Sequence, residues 1–196
     1  MKNCKNAIVL SVMTAIALLL TACSTPTVSR SAEDDIPDEI LYRLIAYTIY
    51  SFEQETFNQN FAGKKPSDFG ENNSGNIDVK LEGAYGGSVR ATGSLSVAGD
   101  VGLTIEDLTY TLDNVKQIAS TTDKYICNAT LNGTLRVKGS FNQTFSSLSI
   151  SSPDLSMKGS ATYEPSVREF NETGSVNLTF KDGKITGEVF GHTVTW

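Results

Sequence analysis

Histidine and cysteine are scarce in this chain: one histidine and three cysteines among 196 residues. Metal sites built on Cys–His spacing are therefore absent, as are the P-loop and dinucleotide-binding fingerprints. A Ser-His-Asp arrangement would have to use His192, four residues from the end. No Gly-x-Ser-x-Gly elbow supplies its serine, since Gly86-Gly87-Ser88-Val89-Arg90 misses at the last place. His192 reads as a plain strand residue. Glu33-Asp34-Asp35 and Asp38-Glu39 lack the alternate spacing of a calcium loop and read as solvated charge and helix capping. Asp113, Asp123, Glu164, Glu169 and Glu172 are scattered near expected turns, and no spacing marks two of them as the carboxylate pair of a glycoside hydrolase. The expectation is no catalytic residue, no cofactor and no metal.

Basic charge is in short supply too, with 16 Lys and Arg against 22 Asp and Glu, a net −6. Such a balance disfavours nucleic acid and polybasic docking on anionic lipid. Long apolar runs are missing beyond the first twenty residues, so no later segment is expected to cross a membrane as a helix.

What the chain does have begins at its start. Met1, Lys2 and Lys5 precede an apolar run from Ala7 to Leu20, which has the proportions of a secretory signal. Leu20-Thr21-Ala22-Cys23 closes it, with small residues beside the cysteine. This stretch resembles the lipobox of bacterial lipoprotein signal peptides, and the resemblance covers residues 1–24 only. It implies cleavage before Cys23, acylation of the Cys23 thiol and usually of the new amine, and a stable membrane anchor at ~0.8 kcal/mol per buried CH₂. Ser24 in the following position resembles lipoproteins passed to the outer membrane. The alternative is an ordinary signal cut after Ser24. Asn-x-Ser/Thr sequons at Asn72, Asn128, Asn132, Asn142, Asn171 and Asn177 would then be available to a secreted glycoprotein, although an Asn-, Ser- and Thr-rich chain produces such matches by chance.

Under the lipoprotein reading residues 1–22 leave as signal, and 23–34 form a lipidated, flexible tether. Residues 35–196 form a single domain. The signal removes two of the sixteen basic residues and no acid, leaving 14 against 22, a net −8. Cys4 departs with it and Cys23 takes lipid, so Cys127 is the one free thiol. It sits on the apolar side of a strand and reads as a small core residue.

Asp35 is placed to cap a helix, with Pro37 in the first turn and Asp38 and Glu39 near its positive end. Ile40, Leu41, Leu44, Ile45, Ile49 and Phe52 recur at helical spacing, and Tyr42, Tyr47 and Tyr50 widen the stripe. A helix so apolar must be covered over most of its circumference, and a β-sheet is the expected cover. From Asn76 the period becomes two, with Ile77, Val79, Leu81, Val89, Ala91 and Leu95 facing one way and charged or hydroxyl residues the other. Gly86-Gly87 and Gly99-Asp100 mark turns. The parity flips near Glu106-Asp107, which suggests a bulge. Asn132-Gly133 looks like a hairpin turn, but pairing across it would mix the faces, so a long strand with a glycine kink or a three-residue loop fits better. Asp182-Gly183 passes the same test, pairing Phe180 with Ile185 and Val176 with Val189. Ser151–Asp154, containing Pro153, reads as a turn. Glycines at odd positions fall on the apolar face, where they would admit a helix, curve the strands or leave a groove.

The resulting expectation is an α+β, mainly β domain: one N-terminal amphipathic helix packed on a curved antiparallel meander of about eight strands, a half-barrel or open barrel. The expected role is that of a lipid-anchored envelope lipoprotein, on the outer membrane, with a non-catalytic binding or structural function. Its partners would be the membrane through Cys23 and an envelope protein, glycan or lipid. A carrier holding an acyl chain between helix and sheet is the alternative, and an envelope carbohydrate hydrolase the third reading. Trp196, Val194 and Phe190 share a face and resemble the C-terminal strand of outer-membrane β-barrels, although Glu188 and His192 interrupt the pattern, so a small barrel is a minor reading.

Overall fold

Alternation of apolar and polar residues runs through nearly every strand of the domain, and its consequence is one sheet with a buried face and a wet face. The structure, a computed structural model, describes residues 36–63, 75–98, 102–122, 124–142 and 144–196. One helix, α1 (Asp38–Asn60), is followed by eight strands. They are β1 (Asn76–Glu82), β2 (Ser88–Ala98), β3 (Gly102–Thr122), β4 (Tyr125–Asn142), β5 (Thr144–Tyr163), β6 (Ser166–Lys181), β7 (Lys184–Val189) and β8 (His192–Thr195). Every neighbouring pair is antiparallel and sequential, so the sheet is an open meander with β1 and β8 as its edges.

The helix lies across the buried face of the sheet, against β3, β4, β5, β7 and β8. From Leu41 to Phe57 none of its residues is exposed. Aromatic pairs mark its path: Tyr42 on His192, Tyr47 on Trp196, Tyr50 on Phe180, Phe52 on Tyr110 and Phe57 on Phe141. Leu44, Ile45, Ile49 and Phe52 meet Leu108, Leu131, Leu135 and Val137 in one core. Each such fully buried side chain contributes roughly 1.5–3 kcal/mol of transfer free energy.

The helix begins three residues after Asp35, which lies outside the described residues. Pro37 is itself the N-cap rather than a first-turn residue, and no side chain caps the helix. The start is held from the sheet instead. Arg168 on β6 donates to the Ile36 carbonyl at 2.7 Å and pairs with Asp38 at 2.7 Å. Arg43, one turn on, pairs with Glu39 at 2.8 Å.

Strand parity changes where the sheet bulges. The flip near Glu106-Asp107 is a bulge, with the register shifting between Ile105 and Leu108. A second, unforeseen bulge at Asp113-Asn114 returns the inner face to odd positions, so Val115, Gln117 and Ala119 are buried. Asn132-Gly133 is not a turn: β4 runs through it, with Gly133 at φ +112° opposite Leu112. Asp182-Gly183 is a two-residue hairpin with both residues at positive φ, and it pairs Phe180 with Ile185 and Val176 with Val189.

The turn expected at Ser151–Asp154 is absent. β5 continues through Pro153, and the parity change from Ile150 to Leu155 is taken up by a bulge between Ser152 and Leu155. A proline can enter a strand at such a point because the bulged residue owes no ladder hydrogen bond. Gly99-Asp100 lies outside the described residues. The inner-face glycines admit close approach by the neighbouring strand. A Cβ on Gly159 would strike the Asn128 carbonyl and the Ala129 Cα of β4, and one on Gly93 would strike the Asp107 carbonyl of β3.

Candidate functional site

Because the helix covers one face of the sheet, the broad accessible surface among the described residues is the other, outer face. Its strands present mostly Ser, Thr and Asn there: Thr109, Thr111, Thr130, Ser149, Ser151, Ser156, Asn171, Thr173 and Asn177. One groove on it spans β3 to β6 and another β6 to β8.

The first has a volume of about 450 Å³. Two cross-strand rows build it. In one, Lys116 faces Thr130 and Thr130 faces Lys158. In the next, Ile118 faces Asn128, Asn128 faces Ser160 and Ser160 faces Glu169. Their outward aim follows from the bulge at Asp113-Asn114, which fixes the even positions of β3 on this side. The wall comes from the β1–β2 turn, where Tyr85 is 46% exposed. Gly86 accepts a hydrogen bond from the Lys116 N–H at 2.9 Å and so seats the turn on β3. Gly87 permits the close approach: it adopts φ +88°, and a Cβ there would meet the backbone of Asn114 and Val115. Among the described residues Tyr85 and Ile118 are two of three large apolar side chains that stand exposed, with Val167 on β6 the third.

Two lysines, Lys116 and Lys158, and one carboxylate, Glu169, line this groove. The ion pairs of the described residues are Arg43–Glu39, Arg90–Asp78 and Arg168–Asp38, so neither Lys116 nor Lys158 has a carboxylate partner among them. The second groove, of about 510 Å³, is lined by Ser175, Asn177, Gly187, Glu188 and Thr193 on β6 to β8. It offers no aromatic side chain and no cation.

The interior also holds polar chemistry. Glu53 on α1 is fully buried and accepts from the Tyr110 hydroxyl at 3.3 Å, and its Oε2 has no partner among the described residues. Burial pushes its carboxyl well above the ordinary range, towards the protonated form, against the smaller opposing effect of the tyrosine hydrogen bond. Tyr110 is pushed up as well, first by burial and then by Glu53. Gln117 donates to Glu55 at 3.1 Å. Cys127 is buried as expected, and desolvation pushes its thiol up to about 11.

The other sequence candidates are not brought together. Cys23 and the Glu33-Asp34-Asp35 cluster lie outside the described residues, as does Asp123. Asp38 and Glu39 serve Arg168 and Arg43. Glu169 faces outwards, while Glu172 faces inwards and accepts from the Tyr42 hydroxyl at 3.3 Å. Asp113 sits exposed at its bulge and Glu164 in the β5–β6 turn. His192 stacks on Tyr42 with ring centroids 3.6 Å apart, and no hydrogen bond joins it to a carboxylate among the described residues. No group of three metal-ligating side chains occurs among the described residues. The groove residues Tyr85, Lys116 and Lys158 were not singled out by sequence reading. One signal was available: odd parity at Val115, Gln117 and Ala119 leaves Ile118 as an apolar residue on a polar face. Searches against protein-family models, curated proteins and solved structures find no match for this chain.

Proposed function

We propose that the chain is a lipid-anchored cell-envelope lipoprotein of the outer membrane, held by acyl chains on Cys23, whose domain 35–196 has a non-catalytic binding role exercised by its outer face. The carrying observation is that no residue of α1 from Leu41 to Phe57 is exposed. An acyl carrier needs room between helix and sheet, and that space is taken by side chains such as Ile45, Phe52, Leu108 and Leu135, each at most 1% exposed. The face left for a partner is therefore the polar one. Its open edges at β1 and β8 support a tethered domain over a small closed barrel.

Two experiments test this. Cells labelled with radioactive palmitate should yield labelled protein in the outer-membrane fraction, and Cys23→Ser should abolish both label and fractionation. A photo-reactive side chain placed at the exposed Ser149 on the outer face should form adducts in intact cells. An unlabelled wild type would sink the anchor, and a Ser149 probe without adducts would sink the outer-face role.

A further inference from the structure

We propose that the groove between Tyr85 and Glu169 binds an anionic saccharide, a sugar ring carrying a carboxylate or phosphate group. This rests on the outer-face binding role proposed above. Lys116 and Lys158 stand on either side of Thr130 in one cross-strand row. Two interstrand spacings separate their backbones by roughly 9.5 Å. Both side chains leave the same face and are long enough for their ammonium groups to converge on one oxyanion above Thr130. The mature chain carries eight more acids than bases, yet no described carboxylate forms an ion pair with either lysine.

The adjoining row defines the rest of the ligand. It lies two residues along each strand, roughly 6.8 Å away, a separation suited to one pyranose ring. Asn128 offers an amide, Ser160 a hydroxyl and Glu169 a carboxylate, which are donors and acceptors for sugar hydroxyls. Glu169 repels an anion, so the two rows orient the ligand: the oxyanion towards the lysines, the hydroxyls towards Glu169. Tyr85 supplies an exposed ring beside Lys116 for the apolar face of a sugar. The volume of about 450 Å³ lies in the range of small-ligand sites.

The test uses the full acylated chain in a neutral detergent, titrated calorimetrically with trigalacturonate, glucose 6-phosphate and neutral maltotriose. At least one charged probe should bind at least about tenfold more tightly than maltotriose and weaken as salt is raised. The carboxylate and phosphate arms separate the two sources of the oxyanion by their relative affinity. Lys116→Gln and Lys158→Gln should each weaken binding by about tenfold, the loss of one charged hydrogen bond. Lys158→Arg should largely restore it, and Tyr85→Ala should weaken all sugars. These positions are exposed, so unchanged thermal melts serve as the folding control. Equal binding of maltotriose with unaltered lysine variants would overturn the anionic assignment. So would no binding of any probe. In either case the Ser149 adducts, outside this groove, decide separately whether the outer face engages a partner.

Discussion

The Tyr110 hydroxyl donates to Glu53 Oε1 at 3.3 Å in a core where both residues are 0% exposed. A helix glutamate is thus held in an apolar interior with one oxygen satisfied and the other without a partner. Its folded-state pKa is raised above the ordinary 4.5 by burial. Below about 4.5 the carboxyl is protonated in both folded and unfolded chains and costs nothing extra. As pH rises above that value the unfolded chain ionises first, so folded stability falls by about 1.4 kcal/mol per pH unit until the folded carboxyl also ionises. Glu53→Gln should abolish this slope and raise stability at neutral pH. Urea melts from pH 4 to 8 on both proteins measure it. A wild type as stable at pH 7 as at pH 4.5 would show that Glu53 is not buried as described.

Tyr110→Phe addresses the other half of the pair. It leaves Glu53 Oε1 without its donor, and should cost about 1–3 kcal/mol. The loss should be smaller in the Glu53→Gln background if the two groups are coupled, which a double-mutant cycle measures.

Gly159→Ala should destabilise by about 1–3 kcal/mol through overpacking, because the added Cβ meets the Asn128 carbonyl and Ala129 Cα across the strand pair. Gly183→Ala is a control of another kind: the space there is open, and only the φ of +75° opposes it. Thermal melts should rank Gly159→Ala as the more damaging change.

Arg168→Ala removes the link from β6 to the start of the helix, namely the bond to the Ile36 carbonyl and the pair with Asp38. Hydrogen exchange of the first helical turn should accelerate, with a stability loss of roughly 1–2 kcal/mol. Exchange at Ile49 and Phe52, deep in the core, should change by no more than the global loss.

Cys127 should be inert in the native protein. Its thiol is 1% exposed and is pushed up to about 11 by desolvation, so little thiolate exists at pH 8. Reaction with an aromatic disulfide reagent should be negligible until urea unfolds the chain. Rapid native labelling would show that the helix opens away from β4.

Strand faces were legible because side-chain direction alternates with a period of two, a local property. The same arithmetic rejected a turn at Asn132-Gly133 and placed one at Asp182-Gly183, and both agree with the observed register. It failed at Pro153, where a parity change next to proline reads equally as a turn or a bulge. The choice was made by β4 and β6, which pair with β5 on both sides of the irregularity. The cap foreseen at Asp35 failed similarly, since the start of the helix is held by Arg168, 130 residues along the chain from Asp38.

By itself, the sequence determined that an apolar helix must be enclosed by a sheet with one wet face, and that this sheet would be antiparallel and about eight strands long. Periodicity and turn chemistry are written in neighbouring residues, so one chain suffices to read them. Only the tertiary structure decided that the helix leaves no exposed residue between Leu41 and Phe57, that Glu53 is buried against Tyr110, and that Lys116, Lys158, Tyr85 and Glu169 share a groove. Those relations join residues from different strands through two bulges and a glycine turn. Each bulge shifts the register of everything beyond it, so no local pattern records which side chains finally meet.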